Sequence, residues 1–281
     1  MRKTALAASG FALVLALGAC GDSEGGTASP VGGDSGNGSS LFSDAQALVA
    51  AASEQTSQSK SSKFTMEMDM AGQKISANGE GVYDGANSKM AITMNMGGQT
   101  MEMRLVDRTM YMKLPGEAAA QMGGKEWVKV SADGTDPLSQ QLGSSFDQMA
   151  EQSDPSKVLD QIKQAGEITN SEETTLDGQD VTHYTIELDF AKIADQYGAA
   201  GVSEEQMKQL ADKVGKLPME LWLNGDNLPV QVSMDMAKVM EAAGAPAGQG
   251  GSMLMKYTDW GAPVNVEAPP ADQVGEFPGG N

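Results

Sequence analysis

The chain has 281 residues, 40% of them hydrophobic, with 34 Gly and 11 Pro. That fits one or two folded domains, or one large β-rich domain, and is far from a disordered polyampholyte. Nineteen Lys and Arg against 38 Asp and Glu give a net charge of −19, which excludes nucleic-acid binding through clustered cations. One Cys and one His cannot build a disulfide framework or the usual Cys/His zinc centre, so no metal and no cofactor is expected.

The first twenty residues account for the cysteine. Arg2 and Lys3 form a short positive region, Ala5 to Leu17 supply an apolar run, and the segment ends Leu17-Gly18-Ala19-Cys20. Positive charge, a short apolar stretch and small residues at the cleavage point are what a secretory signal needs. The ending resembles a bacterial lipobox, which implies a signal peptide over 1–19 and makes Cys20 the acceptor of a diacylglyceryl group. Cys20 is then an anchor rather than a nucleophile; the alternatives are a plain secretory peptide with an incidental Cys, or a short membrane helix. Each buried CH₂ contributes about 0.8 kcal/mol, so two or more acyl chains hold a protein stably where one does not. Cleavage removes Arg2 and Lys3 and no acid, taking the balance from −19 to −21. So acidic a body is repelled by anionic head groups, and membrane contact is expected through the anchor alone. Residues 21–40 hold 7 Gly, 5 Ser and two apolar side chains; they read as a flexible tether spanning about 25 Å.

Beyond the tether, Ser43 with Gln46 predicts a capped helix bearing Leu48, Ala51 and Ala52. From Phe64 the apolar period changes to two, with Phe64, Met66, Met68 and Met70 alternating against Thr65, Glu67 and Asp69. The same pattern predicts strands over 74–83, 89–96 (Met90, Ile92, Met94, Met96) and 99–106 (Met101, Met103, Leu105). Gly97-Gly98 supplies a two-residue hairpin turn that sets Met94 opposite Met101 and Ile92 opposite Met103. A helix over 137–151 is expected next, then a second opened by Asp154-Pro155, carrying Val158, Leu159, Ile162 and Ala165 and closed by a left-handed Gly166. Strands over 167–174 and 181–188 flank an Asp177-Gly178 turn. Val202 and Met207 as a staple around the Ser203/Gln206 capping box predict a helix ending at Gly215. Strands follow over 218–223, 229–236 and 252–260, with Leu221 expected opposite Val230 and Met219 opposite Val232. Residues 261–281 read as an extended tail. The order fits α+β, a long antiparallel sheet with helices on one face, with no sign of parallel pairing.

Several stretches together carry a resemblance: the lipobox, the Met-rich strands, Asp154-Pro155 to Gly166, Leu176-Asp177-Gly178 to His183-Tyr184, and Leu221-Trp222-Leu223 leading to Leu228-Pro229-Val230. These resemble the actinobacterial LppX/LprG family of lipid-binding lipoproteins and, more distantly, the LolA carriers. The resemblance covers about residues 43–267. It implies a curved half-barrel sheet whose concave face is covered by helices, a lipid or glycolipid ligand between them, a monomer, and a role in moving or presenting acylated lipids in the envelope, with an envelope transporter as partner.

Methionine bears on mechanism independently. The chain has 20 Met against 6 Phe, 3 Trp and 5 Tyr, and most lie in strands, including Met110, Met112, Met219, Met234, Met236, Met253 and Met255. Unbranched thioethers adapt to many shapes and suit a surface that accepts flexible acyl chains, but they also fill ordinary cores. Composition alone leaves both readings open; the resemblance implies a cavity lined by Met66, Met68, Met70, Ile92, Met94, Met96, Met101, Met103, Leu105, Met110, Met112, Met219, Leu221, Val230, Val232, Met234, Met253 and Met255. No catalytic residue is expected: His183 has no motif around it, Gly79-Glu80-Gly81 lacks the rest of a dinucleotide loop, and no GxSxG or P-loop occurs. The alternative to lipid binding is a surface-anchored protein-interaction or sensory domain.

Overall fold

The computed structural model describes residues 41–70, 72–131, 154–194, 204–242, 244–246 and 251–276. The signal segment, Cys20, the tether, the 137–151 helix and the Val202/Ser203 capping residues lie outside the described residues. In chain order the elements are α1 (Ala45–Ser59), β1 (Ser61–Met70), β2 (Gln73–Val82), β3 (Lys89–Met96), β4 (Gln99–Val106), β5 (Thr109–Lys113), α2 (Gly116–Gln121), β6 (Trp127–Ser131), α3 (Ser156–Ala165), β7 (Gly166–Leu176), β8 (Gln179–Asp189), α4 (Phe190–Ile193), α5 (Glu204–Val214), β9 (Lys216–Asn224), β10 (Pro229–Asp235), α6 (Ala237–Ala242), β11 (Gly251–Thr258) and β12 (Val274–Glu276).

All twelve strands join one open, curved sheet in the order β12-β6-β5-β4-β3-β2-β1-β11-β10-β9-β8-β7. This is the α+β half-barrel expected, with helices on one face. Its hairpins are set by turn chemistry. Gly97-Gly98 (φ 57° and 83°), Asp107-Arg108 (50° and 56°) and Asp177-Gly178 (52° and 86°) are two-residue turns with both residues left-handed, the backbone whose twist matches that of the strands. The expected pairs Met94 with Met101 and Ile92 with Met103 are present.

The helices differ from expectation at their ends. Asp44, not Ser43, caps α1, its carboxylate accepting from the N–H of Gln46 and Ala47. Asp154 accepts from Ser156 N–H at 2.8 Å and so holds the first turn of α3. Gly166, expected left-handed, is extended (φ −82°) and begins β7. It is required by close approach instead, since a Cβ there would lie 2.5 Å from the Ile162 carbonyl oxygen. Gly215, by contrast, has φ 64° and ends α5.

Two strand expectations are corrected. The β9–β10 register pairs Leu221 with Val232 and Met219 with Met234, two residues from the expected match. Asn224 causes this: its side-chain oxygen accepts from the N–H of Asp226 and Leu228, Asn227 turns left-handed, and a bulge at Val230 absorbs the extra residue. The C-terminal segment is not all tail, because Val274–Glu276 pairs parallel with β6, the one parallel pair among the described strands. On the way it crosses the sheet, tied by Ser61 Oγ donating to the Ala262 carbonyl, Arg104 to the Glu267 carbonyl and Lys125 to the Asp272 carbonyl. Strand β6 and the short helices α2, α4 and α6 have no counterpart in the sequence reading.

The main core lies where helices meet the sheet. Leu48, Val49 and Ala52 of α1, Leu159 and Ile162 of α3, Phe190 and Ile193 of α4, and Met207, Ala211 and Val214 of α5 pack onto Ile186, Leu188, Leu217, Met219, Leu221 and Val232. Helix α1 rests on α3 and β7, α3 on β7 and β8, and α6 on α5 and β11. No described helix makes a comparable contact with β1 to β6. Gly166→Ala is expected to lower stability by about 1–3 kcal/mol, since neither the α3 carbonyl nor the strand can retreat freely. Denaturant unfolding checks this.

Candidate ligand-binding face

Residues directly paired across a sheet share a face, and here the pairings line up. One row runs Met101, Met94, Ala77, Met66, Met255, Val232, Leu221, Tyr184 from β4 to β8. The next runs Met96, Ile75, Met68, Met253, Met234, Met219, Ile186. A third runs Val128, Met112, Met103, Ile92, Gly79, Phe64, Tyr257. All three lie on the helix-bearing face, so one apolar surface crosses the sheet; the described helices cover the half over β7 to β10 and make no comparable contact with the half over β1 to β6.

The eighteen residues expected to line a cavity divide accordingly. Met219, Leu221, Val232 and Met234 are buried under the helices and belong to the main core, with Met253 and Met255 packed at its margin. For these the ordinary-core reading holds. Leu105 is buried in a second cluster with Met90 and Val130, flanked by Ile92 and Met110. Met66, Met68, Met94, Met103 and Met112 are half-buried. Met70, Met96 and Met101 are exposed, at 41%, 40% and 47%. Val230 sits half-buried at the bulge, in neither cluster.

Burial therefore grades along the strands. In β3 it falls from Met90 (5% exposed) through Ile92 and Met94 to Met96, and in β4 from Leu105 (6%) through Met103 to Met101. The face is closed at one end and open at the hairpin tips. Phe64 closes it, packing against both clusters. Its ring reaches over β2 because residue 79 is glycine: a Cβ at Gly79 would lie 2.5 Å from Phe64 Cζ. Gly81 makes similar room for Tyr83, whose hydroxyl lies 2.9 Å from Ser62 Oγ. The pair Gly79/Gly81 thus serves aromatic packing within a strand, a role sequence spacing did not reveal.

Burial raises the phenol pKa of Tyr257, which pairs with Phe64, well above its ordinary value, with Tyr83 and Asp154 adding to the effect. Burial likewise raises Tyr83, opposed by its Ser62 hydrogen bond and aided by Asp154. Both phenols stay neutral at physiological pH.

The opposite face is polar. His183 stacks on Trp222 with ring centres 4.4 Å apart and lies 3.3 Å from Glu172 Oε1 and 3.7 Å from Glu220 Oε2. Lys216 joins Glu167 and Glu187 at 2.9 and 2.7 Å. A cavity of about 260 Å³ over β1 to β4 is lined by Lys63, Glu80, Glu102 and Arg104 among others. Three of its charged groups have partners: Lys63 pairs with Asp259, Glu102 with Lys113, and Arg104 lies over the Trp127 ring. Among the described residues no group of three or more His, Cys, Asp or Glu is placed to hold a metal, and no helix is long and apolar enough to cross a membrane.

No protein-family model matches the chain, and no curated protein matches it significantly in sequence. Among solved structures it is similar to LprF from Mycobacterium bovis, with TM-score 0.47 and 17% identity over 80% of this chain and 96% of that one. It is also similar to a conserved protein from Thermus thermophilus (TM-score 0.37, 10% identity, 83% and 99% covered) and to MucB in complex with MucA(peri) (0.35, 14%, 80% and 60%).

The tyrosines give a pH test. A phenol whose pKa is raised on folding stabilises the fold fully below its unfolded value of 10.0. Above that value the unfolded chain loses the proton first, and stability falls as pH rises. Thermal melts of the parent are expected to drop steeply above pH 10, and Tyr257→Phe is expected to flatten that drop while melting like the parent near pH 7.

Proposed function

We propose that the chain is an extracytoplasmic lipoprotein, anchored through acylated Cys20, that binds acylated lipids or glycolipids on the uncovered half of its methionine face and carries or presents them in the cell envelope. The supporting observation is the graded, half-exposed apolar face over β1 to β6, continuous with a fully buried core. Leaving apolar surface in water forgoes about 25 cal/mol per Å², so a contiguous exposed patch on a fold that buries the same row elsewhere marks a binding surface. The gradient orients the ligand. An acyl chain is buried deepest with its end toward Phe64, Met90 and Leu105, and a polar head group stays in water beside the hairpin tips. Methionine suits this because flexible thioethers follow a chain that has no single shape. In this reading residues 1–19 are removed, 20–42 space the folded domain from the membrane, and the face works within a monomer.

Native mass spectrometry of the isolated chain tests the ligand. Co-purifying lipid is expected with the parent, and Met103→Glu is expected to lose it, because an unpaired charge on this face costs several kcal/mol when an acyl chain covers it. A Met103→Glu chain that keeps its full lipid complement contradicts the assignment, and a parent that is consistently empty favours the interaction-domain reading. The anchor has its own test. Cys20→Ala is expected to leave the chain unlipidated and uncleaved, which intact mass and membrane fractionation read directly.

A further inference from the structure

Methionine is a surprising choice for the exposed end of the face, where Leu offers the same apolarity without a reactive sulfur. Among the described residues the exposed large apolar side chains are Leu41, Met70, Met96 and Met101. The three methionines are not scattered. Met101 lies in the row through Met94 and Met66, Met96 in the next row through Ile75 and Met68, and Met70 in the row beyond, opposite Gln73. They occupy three successive rows at the open end, beside the β1–β2 and β3–β4 turns. Four methionines elsewhere are shielded, Met219 at 0% exposed, Met234 at 3%, Met90 at 5% and Met207 at 8%, and those between, such as Met66 and Met94, are half-buried.

We propose that Met70, Met96 and Met101 form an oxidation site at which peroxide converts the open end of the face from apolar to polar and so releases its ligand. The ligand part rests on the lipid-binding function proposed above; the modification itself does not. The thioether sulfur attacks one peroxide oxygen, an S–O bond forms and the O–O bond breaks. Sulfur is oxidised by two electrons to the sulfoxide, and hydrogen peroxide is reduced to water, which carries both protons. The product is a strongly polar, reducible group on a formerly apolar side chain. Covering by an acyl chain strips water from a sulfoxide oxygen; Met101 faces Met94 and has no donor across the strand, while Met70 and Met96 face Gln73 and Gln99 at the exposed rim, whose amides replace only part of that hydration. In the unliganded protein the same oxygen points to water. Oxidation therefore disfavours only the liganded state. Since the buried methionines are shielded, the fold survives a dose that modifies the rim.

The test uses the full chain incorporated in liposomes and treated with graded hydrogen peroxide. Peptide mass spectrometry is expected to find sulfoxide at Met70, Met96 and Met101 about tenfold sooner than at Met90, Met219 and Met234. Uptake of a pyrene-labelled fatty acid is expected to weaken by roughly tenfold or more once the three are oxidised. The triple variant Met70→Leu, Met96→Leu, Met101→Leu keeps the apolar surface and lacks the sulfurs, so it is expected to take up the probe like the untreated parent and to keep doing so after peroxide. Oxidation of the buried methionines at the same rate overturns the site, and so does unchanged uptake by parent carrying all three sulfoxides. Failure of the untreated parent to take up the probe counts against the lipid reading, and the order of oxidation then decides the modification site by itself.

Discussion

The structure depends on strand register. A one-residue slip in any hairpin would turn that strand's apolar side chains to the polar face, because side chains alternate with a period of two. Three two-residue turns with left-handed residues hold the register where it matters, at Gly97-Gly98, Asp107-Arg108 and Asp177-Gly178. Between them they lock β3 to β4, β4 to β5 and β7 to β8. Strand β1 then pairs with both β2 and β11, joining the early hairpins to the late ones, and apolar rows run unbroken across the sheet.

One surface divides into two regimes because the described helices pack on only part of it. Under α3 to α5 the rows end in Leu, Ile and Tyr with fixed packing, and the Met there are core residues in the ordinary sense. Over β1 to β4 the rows are mostly Met, and no described helix makes a comparable contact. Phe64 lies between these regimes, seated close to the sheet by the missing side chain of Gly79, as Tyr83 is by that of Gly81. The opposite face carries ion pairs and a hydrogen bond from Arg104 to the C-terminal segment, which extends the sheet edge by a short parallel strand. The two faces thus divide labour, polar bracing on one side and apolar surface on the other.

Much of this was legible in the amino-acid sequence. Alternating Met residues and a Gly-Gly turn are local signals, and they yielded the β3–β4 pairing directly. The α+β class followed from the order of elements. The remaining features are set by contacts between distant residues. Val274–Glu276 becomes a strand because β6 offers an unpaired edge, and nothing in its three residues says so. The β9–β10 register departs from the pattern because the Asn224 side chain builds a turn through its own hydrogen bonds and the bulge at Val230 adds a further residue, together displacing the pairing by two positions. Gly166 looked like a helix stop and is a close-approach residue, a distinction that appears only once the Ile162 carbonyl is in place. For the site, sequence pattern put seventeen of the eighteen expected residues in strands on the helix-bearing face, with Val230 at the bulge, but it could not tell which a helix would cover. Coverage is a tertiary property, and it separates Met219 and Met234 from Met94 and Met101.

The central claim is that the uncovered half of the methionine face holds an acyl chain. Photo-crosslinking with a fatty-acyl lipid bearing a diazirine near its terminal methyl, followed by peptide mapping, tests it most directly. The account expects label on Phe64, Met90, Ile92, Met103 and Leu105, at the closed end of the face. Label confined to the polar face, or spread over the chain without preference for β1, β3 and β4, would contradict it.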